Sequence, residues 1–216
     1  MTLKQKSEIE IILNSLSDYD FTDFGSENKS DLVKYFHEHY KGQLSWSHDT
    51  GASKFVFIFS DFVIKIPFRY SWAEEELMGA NSYKGEYWDY CAAELEQYEF
   101  AVKNGVEEFF AAVECLGDIN GHPIYFQELA DIYCMRGSDS SEAEVEEFEE
   151  SEESRQSAWL DLDSYWRCDV LKYYGKDKYK KFMNYIADAD IEDLHDGNIG
   201  YIHSRPVLID FSGWNN

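Results

Sequence analysis

The sequence has few basic residues, few prolines and no long apolar run. Its 216 residues include 19 Lys and Arg against 43 Asp and Glu, which gives a formal net charge of −24. Such a chain repels nucleic acid phosphates and anionic membrane surfaces, whereas a basic protein partner suits the charge. The alternative is that the charge only keeps the protein soluble. The 3 prolines exclude a proline-rich linker protein, and the hydrophobic content of 44% indicates a globular domain.

Cysteine pairs at metal-binding spacing and targeting segments are also lacking. None of the 4 cysteines forms a C-x-x-C pair, so a structural zinc site is not expected and the thiols suit a reducing compartment. The apolar run at 11–13 is too short for a signal peptide, and the run at 55–59 is far too short to span a membrane. We therefore expect a cytoplasmic protein, with export by a dedicated secretion system left open.

The hydrophobic pattern predicts an α+β fold. Helices are predicted at 6–18, 31–40, 90–103, 157–174 and 177–187. Strands are predicted at 43–46, 55–60, 62–67, 111–117 and 123–128, followed by a C-terminal hairpin of 199–203 and 206–211. This order indicates a five-stranded antiparallel sheet flanked by one long helix. The first two helices are expected to pack against an edge of that sheet.

Short-range turn signals connect several of these segments. Ser60-Asp61 is short enough for a two-residue hairpin turn, and Asn120-Gly121 is typical of a type I′ turn. Gly175 is expected to separate the last two helices. The final hairpin is predicted to turn at Ser204-Arg205.

A low-complexity acidic tract occupies residues 139–155. Eight Glu lie between Glu142 and Glu153, and the apolar residues among them are chiefly Val145 and Phe148. Such a segment has little apolar surface to bury, so a solvated loop or a frayed helix is expected. The alternative is an interaction surface for a basic partner.

The strongest chemical signal lies near the C-terminus. The segment D-L-H-D-G-N begins at Asp193 and ends at Asn198, and Asp210 follows twelve residues later. In a hairpin that turns at Ser204-Arg205, residue 199 faces residue 210, so Asn198 and Asp210 would lie on backbones about 5 Å apart. An amide oxygen and a carboxylate in this arrangement form a hard-oxygen site that suits Mg²⁺. Asp193 can reach the same cleft from the preceding loop.

These residues resemble the catalytic loop and metal-binding segment of the protein-kinase superfamily. The segment D-L-H-D-G-N is closer to that of kinase-like phosphotransferases of bacteria and phages, including relatives of aminoglycoside kinases, than to that of typical eukaryotic protein kinases. The resemblance implies ATP and Mg²⁺ as cofactors. It also implies that Asp193 is the catalytic base, and that Asn198 and Asp210 are metal ligands.

A lysine in the N-terminal half extends the resemblance. Lys65 lies in the middle of the apolar strand F-V-I-K-I-P, where a buried charge needs a partner. An isolated strand lysine can instead be an edge-strand solubility residue. The kinase resemblance implies that Lys65 contacts the α- and β-phosphates and pairs with a helix glutamate. Glu94 is the expected partner, ahead of Glu96 and Glu99.

Backbone groups would complete the nucleotide site that the resemblance implies. The turn after the first strand has small residues that would let N–H groups approach a phosphate: Gly51, Ala52 and Ser53. The strand at 123–128 would carry Gln127 at the gatekeeper position. The segment after it would bond adenine through Glu128 and Ala130.

The pattern also departs from the family. Ile191-Glu192 stands where His-Arg is usual, Ser212 replaces a glycine, and six residues follow Asp210. The resemblance therefore implies one kinase-like domain over 1–216. It consists of an N-lobe at 1–130 with a helical extension, and a truncated, mostly helical C-lobe at 131–216 that carries the acidic insertion 139–155 and ends just after D-F-S-G.

Two functions remain open from the sequence. One is an ATP- and Mg²⁺-dependent phosphotransferase that acts on a protein Ser or Thr, or on itself. The other is a catalytically weak pseudokinase that acts as an acidic binding protein of antitoxin or immunity type.

Overall fold

The computed structural model describes residues 1–25, 27–51, 53–69, 89–133, 145, 149, 162–189, 191 and 194–211. Its helices are α1 (Leu3–Leu16), α2 (Lys29–His39), α3 (Tyr90–Asn104), α4 (Ser164–Tyr174) and α5 (Lys176–Asp188). Its strands are β1 (Ser47–Thr50), β2 (Lys54–Ile58), β3 (Phe62–Pro67), β4 (Val113–Ile119), β5 (His122–Glu128), β6 (Asp131–Ile132), β7 (Ile199–Ile202) and β8 (Arg205–Leu208). Within these ranges, no helix combines the length and hydrophobicity needed to cross a bilayer.

The chain divides into two compact units. The first contains Met1–Ala92 and Val113–Leu129, and the second contains Ala93–Ala112 and Ala130–Asn216. The first unit holds a five-stranded antiparallel sheet in the order β1-β2-β3-β5-β4. The α+β class and the five-stranded antiparallel sheet predicted from the sequence are confirmed.

Two turns of this sheet form where the sequence predicts them. The backbone N–H of Phe59 donates to the carbonyl of Phe62 at 2.9 Å, which closes a turn over Ser60-Asp61. Asn120 and Gly121 have φ angles of 51° and 76°. A type I′ turn requires positive φ at both central residues, and Asn-Gly is the pair that adopts it most readily.

The first strand was wrongly predicted at 43–46, because β1 is Ser47–Thr50. This edge strand pairs only with β2 among the described strands, and its first three residues are exposed. It therefore carries no alternation of apolar residues that would mark it in the sequence. Leu44 and Trp46, which suggested a strand, instead pack against the core from the preceding segment.

One face of the sheet and the first two helices form the core of the first unit. The helices contribute Ile9, Ile12, Leu16, Leu32 and Phe36, and the sheet contributes Phe55, Phe57, Ile64, Ile66, Ile124 and Phe126. The contributions come from alternate residues of β2, β3 and β5, so α1 and α2 cover a face of the sheet. The expectation that they pack on an edge is wrong.

The second unit combines α4 and α5 with a three-stranded sheet in the order β6-β7-β8. Gly175 has a φ of 80° and separates the two helices, as predicted. Aromatic rings fill much of the core: Phe182 stacks on Phe109 at 4.1 Å between ring centroids and meets Phe110 edge-on at 5.7 Å.

The register of the β7–β8 hairpin differs from the predicted one. The turn lies at His203-Ser204, with φ angles of 49° and 70°, and Ile202 pairs with Arg205. A turn at Ser204-Arg205 would have required the backbone N–H of residue 206 to close it, and Pro206 has none. In the observed register Ile199 pairs with Leu208, so the predicted pairing of 199 with 210 is wrong.

The two described residues of the acidic tract are buried. Val145 is 0% exposed and Glu149 is 5% exposed. The carboxylate of Glu149 accepts hydrogen bonds from Arg167 and from the hydroxyl of Tyr179. Both positions are helical and buried, so the expectation of a solvated segment is wrong there. The rest of the tract lies outside the described residues.

Candidate functional site

Backbone hydrogen bonds bring the segments of Asn198 and Asp210 together. Asn198 ends the 3₁₀ turn Asp196–Asn198, and its side chain is buried. Its N–H donates to the carbonyl of His195 at 2.8 Å, and its carbonyl accepts from the N–H of Ile209 at 2.9 Å. Asp210 follows that bond directly and is half-buried. The two residues remain neighbours, although the hairpin register differs from the predicted one.

The segment of Asp210 is held on its other side as well. Phe211 is fully buried, and its ring meets that of Phe110 edge-on with centroids 4.8 Å apart. The backbone on either side of Asp210 is therefore fixed, by a hydrogen bond at Ile209 and by packing at Phe211. Phe110 is itself joined to β8 by a parallel bridge to Leu208.

The donor chemistry of this pair suits magnesium. An amide oxygen and a carboxylate are hard oxygen ligands, and Mg²⁺ is usually held by one or two protein carboxylates together with water and phosphate oxygens. In the described part of the chain, no group of three or more His, Cys, Asp or Glu side chains is arranged to hold a metal ion.

Lys65 lies in the middle of β3 with its side chain 4% exposed. It alternates with Ile64 and Ile66, which face the core under α1 and α2, so Lys65 belongs to the opposite face of the sheet. Its cross-strand partners are Val56 and Tyr125. A lysine is seldom buried to this extent without a functional or charged partner.

Helix α3 begins against the face of the sheet that carries Lys65. Tyr125 lies directly opposite Lys65, and its hydroxyl donates to Asp89 at 2.6 Å. The same carboxylate accepts the N–H groups of Cys91 and Ala92, both at 2.9 Å, and so caps α3. Burial, and then the hydrogen bond to Asp89, raise the pKa of Tyr125 far above its ordinary value, so the hydroxyl stays a donor.

The three candidate glutamates of α3 differ in burial. Glu94 is 0% exposed, whereas Glu96 and Glu99 are exposed. A buried carboxylate needs a cation or hydrogen-bond donors, and an exposed one does not. Among the three, only Glu94 is therefore buried deeply enough to need such a partner.

The phosphate-loop residues are only partly described. Gly51 is exposed, and its N–H donates to the carbonyl of Lys54 at 3.1 Å. The carbonyl of Ser53 accepts from the N–H of Phe68 at 2.8 Å. Ala52 lies outside the described residues, as does the predicted catalytic base Asp193. Since the Gly51 N–H is engaged within the turn, a phosphate contact there would depend on the N–H groups that follow it.

The predicted adenine-binding segment follows β5. Gln127 is 3% exposed, whereas Glu128 and Ala130 are half-buried. The chain passes from the first compact unit to the second between Leu129 and Ala130.

Sequence patterns did not identify three residues that lie around the Asn198 turn. They are Tyr133, Asp163 and Asp196. The signal for Asp163 was present, because an aspartate before a helix is a preferred N-cap, and it does cap α4. Tyr133 and Asp196 carry no such signal, since their roles depend on contacts between distant segments.

The comparisons with known proteins add no family. No protein-family model matches the chain, and no curated protein matches it.

Proposed function

We propose that this chain is an ATP- and Mg²⁺-dependent phosphotransferase of minimal protein-kinase-like type, which acts on a protein Ser or Thr hydroxyl or on itself. The observation that carries the proposal is the burial of Lys65 in the middle of β3. An edge-strand solubility residue would be exposed, and β3 lies between β2 and β5 inside the sheet. A buried cation next to the capped start of α3 is suited to binding an anionic ligand.

Each residue of the proposed site has a distinct role. Lys65 would neutralise the α- and β-phosphates, with Glu94 holding its ammonium group in place. Asn198 and Asp210 would hold Mg²⁺, which supplies charge neutralisation at the phosphates when bound. Asp193 would accept a hydrogen bond from the acceptor hydroxyl and orient it. Such transfer depends mainly on positioning and electrostatics, and these are the contributions that the named groups would make.

Ligand-induced stabilisation tests the nucleotide site. A ligand at 100 times its dissociation constant stabilises the native state by about 2.7 kcal/mol, and each kcal/mol raises Tm by about 2–4 °C in a chain of this length. We expect ATP with Mg²⁺ to raise Tm by several degrees in the wild type. Asp210→Ala should abolish this shift, whereas Asp177→Ala, an exposed carboxylate at the start of α5, should retain it.

Transfer itself is tested with radiolabelled ATP. Wild-type protein with Mg²⁺ should label itself or an added protein substrate, and Asp210→Ala should not. Absence of a Tm shift in the wild type at millimolar ATP would contradict the nucleotide site. A Mg²⁺-dependent shift without any transfer would contradict only the catalytic part of the proposal.

The net charge of −24 favours a second candidate function, an acidic protein that captures a basic partner. Exposed charges are screened over about 8 Å at physiological ionic strength, so such binding would weaken steeply as salt is added. Capture of a defined basic protein that is lost at high salt and unaffected by Asp210→Ala would support this second function.

A further inference from the structure

The turn that carries Asn198 is part of a closed ring, which consists of three hydrogen bonds and the chain segments between them. The hydroxyl of Tyr133 donates to Asp163 at 2.5 Å, and the backbone N–H of Asp163 donates to the carboxylate of Asp196 at 3.1 Å. The chain then runs from Asp196 through Asn198 to Ile199. The carbonyl of Ile199 accepts from the backbone N–H of Tyr133 at 3.0 Å, which closes the ring.

We infer that Tyr133, Asp163 and Asp196 are positioning residues that fix the Asn198 turn and thereby set the affinity of the site for Mg²⁺. The inference rests on the proposed function for its ligand. None of the three residues is proposed to touch the metal or the nucleotide. They would act through the position of the Asn198 backbone, from which the amide side chain projects.

Helix capping alone does not explain the ring. Asp163 accepts the N–H groups of Tyr165 and Trp166 at 2.9 and 3.3 Å, which satisfies its role at the start of α4. That role requires neither the hydroxyl of Tyr133 nor the carboxylate of Asp196. These two additional bonds join the end of β6 and the Asn198 turn to the same capping residue.

The Tyr133 hydroxyl, which donates within the ring, is buried and has a raised pKa. Tyr133 is 7% exposed. Burial first, then the hydrogen bond to Asp163 and the nearby carboxylates of Asp196 and Asp169, raise the pKa of the Tyr133 hydroxyl well above its ordinary value. The Tyr133 hydroxyl therefore remains protonated and able to donate near neutral pH.

The same sheet offers a matched control outside the ring. The hydroxyl of Tyr201, on β7, donates to Asp169 at 2.7 Å. Tyr133→Phe and Tyr201→Phe therefore each remove one tyrosine–aspartate hydrogen bond from the second unit and leave the aromatic ring in place. Only the first of them opens the ring around Asn198.

The first experiment titrates Mg²⁺ against the Tm shift at a fixed concentration of a non-hydrolysable ATP analogue. Loss of a partner that orients a metal ligand commonly weakens metal affinity by about tenfold or more. We expect Tyr133→Phe to raise the Mg²⁺ concentration at half-maximal shift by about tenfold, and Tyr201→Phe to leave it unchanged. In an Asn198→Ala background, Tyr133→Phe should have no further effect on that concentration, because both changes act through one ligand.

A second experiment needs no ligand. Hydrogen exchange of the backbone amides at 195–199 should accelerate in Tyr133→Phe and in Asp196→Ala, but not in Tyr201→Phe. Asp196→Asn keeps an acceptor oxygen and should restore protection. Equal effects of Tyr133→Phe and Tyr201→Phe in both experiments would overturn the inference.

The outcomes separate this inference from the proposed function. A wild type that binds the analogue, with a Tyr133→Phe variant of unchanged Mg²⁺ dependence, would overturn the positioning role and leave the function standing. A wild type that binds no Mg²⁺-nucleotide would overturn the proposed function and the metal-related part of this inference together. The exchange data would then show whether the ring holds the turn.

Discussion

Arg167 and Glu149 form an ion pair whose side chains are only 8% and 5% exposed. The hydroxyl of Tyr179, which is fully buried, donates to the same carboxylate. Eighteen residues separate the two charges along the chain. At Glu149 the acidic tract is therefore attached to the helices of the second unit by a buried charge pair, and this attachment has a measurable consequence for stability.

Glu149→Ala should lower the free energy of unfolding by about 3–5 kcal/mol, because it leaves the Arg167 guanidinium buried without its counter-charge. Urea denaturation measures the change. The exposed pair Lys178–Glu108, at 2.7 Å with side chains 55% and 37% exposed, provides the control. Lys178→Ala should cost less than about 1 kcal/mol. Equal losses in the two variants would show that burial does not set the strength of the Glu149 pair.

The buried His122 should make the first unit sensitive to acid. His122 is fully buried, stacks on Phe21 with ring centroids 4.7 Å apart, and donates from Nε2 to the carbonyl of Pro67 at 2.8 Å. Burial lowers the pKa of His122 from 6.5 to about 4, against the opposing effect of the Pro67 bond; Arg69 lowers it further and Asp118 raises it.

Between these two pKa values the unfolded chain binds a proton that the native state does not. The contribution of His122 to the free energy of unfolding is therefore complete above pH 6.5. It is lost as the pH falls towards 4, by about 3 kcal/mol in total. The free energy of unfolding, measured from pH 7 to 5, should fall more steeply in the wild type than in His122→Gln. Parallel curves for the two proteins would contradict a depressed pKa at His122.

Local turn chemistry explains which hairpins could be predicted from the sequence. Asn120-Gly121 supplies two residues that adopt positive φ readily, so both the turn and the register follow from it. His203 and Ser204 adopt the same conformation without that preference. The decisive constraint at the last hairpin is Pro206, which pairs with Tyr201 and could not have closed the turn predicted one residue later.

The His203-Ser204 turn should become more stable when glycine, which adopts positive φ readily, replaces Ser204. Ser204 has a φ of 70°, a conformation that costs an ordinary residue about 1–2 kcal/mol and glycine little. Ser204→Gly should therefore raise the free energy of unfolding by up to about 1 kcal/mol. Ser7→Gly provides the control, because Ser7 is exposed within α1, where glycine should destabilise by about 0.5–1 kcal/mol. A loss of stability in Ser204→Gly would contradict the assigned turn.

The candidate site could be predicted only where a short motif marks it. Lys65, Asn198 and Asp210 stand out because their residue types and spacing are unusual within apolar or glycine-containing segments. The ring of Tyr133, Asp163 and Asp196 could not be found in this way, since it joins residues from three separate parts of the chain. The Glu149–Arg167 pair was missed for the same reason, because the composition of the tract suggests solvation and only tertiary contacts reveal the burial of one glutamate.

Glu94→Gln tests the proposed partner of Lys65. Glu94 is 0% exposed, whereas Glu96 and Glu99 are exposed on the same helix. Glu94→Gln keeps the side-chain shape and removes the charge. If Glu94 holds the Lys65 ammonium group for phosphate binding, this variant should weaken Mg²⁺-ATP binding by about tenfold or more, because a charge-assisted hydrogen bond is worth about 1.5–3 kcal/mol. Isothermal titration calorimetry measures this affinity.

Glu96→Gln and Glu99→Gln serve as matched controls, because each removes the same charge from an exposed position of α3 and should leave the affinity unchanged. Combining Lys65→Met with Glu94→Gln should cost little more affinity than Lys65→Met alone, since residues that act through one contact are not additive. Additive losses would mean that Glu94 supports the fold and does not orient Lys65. If Glu96→Gln weakened binding as much as Glu94→Gln, the assignment of Glu94 as the partner would be wrong, because burial would not have distinguished the two glutamates.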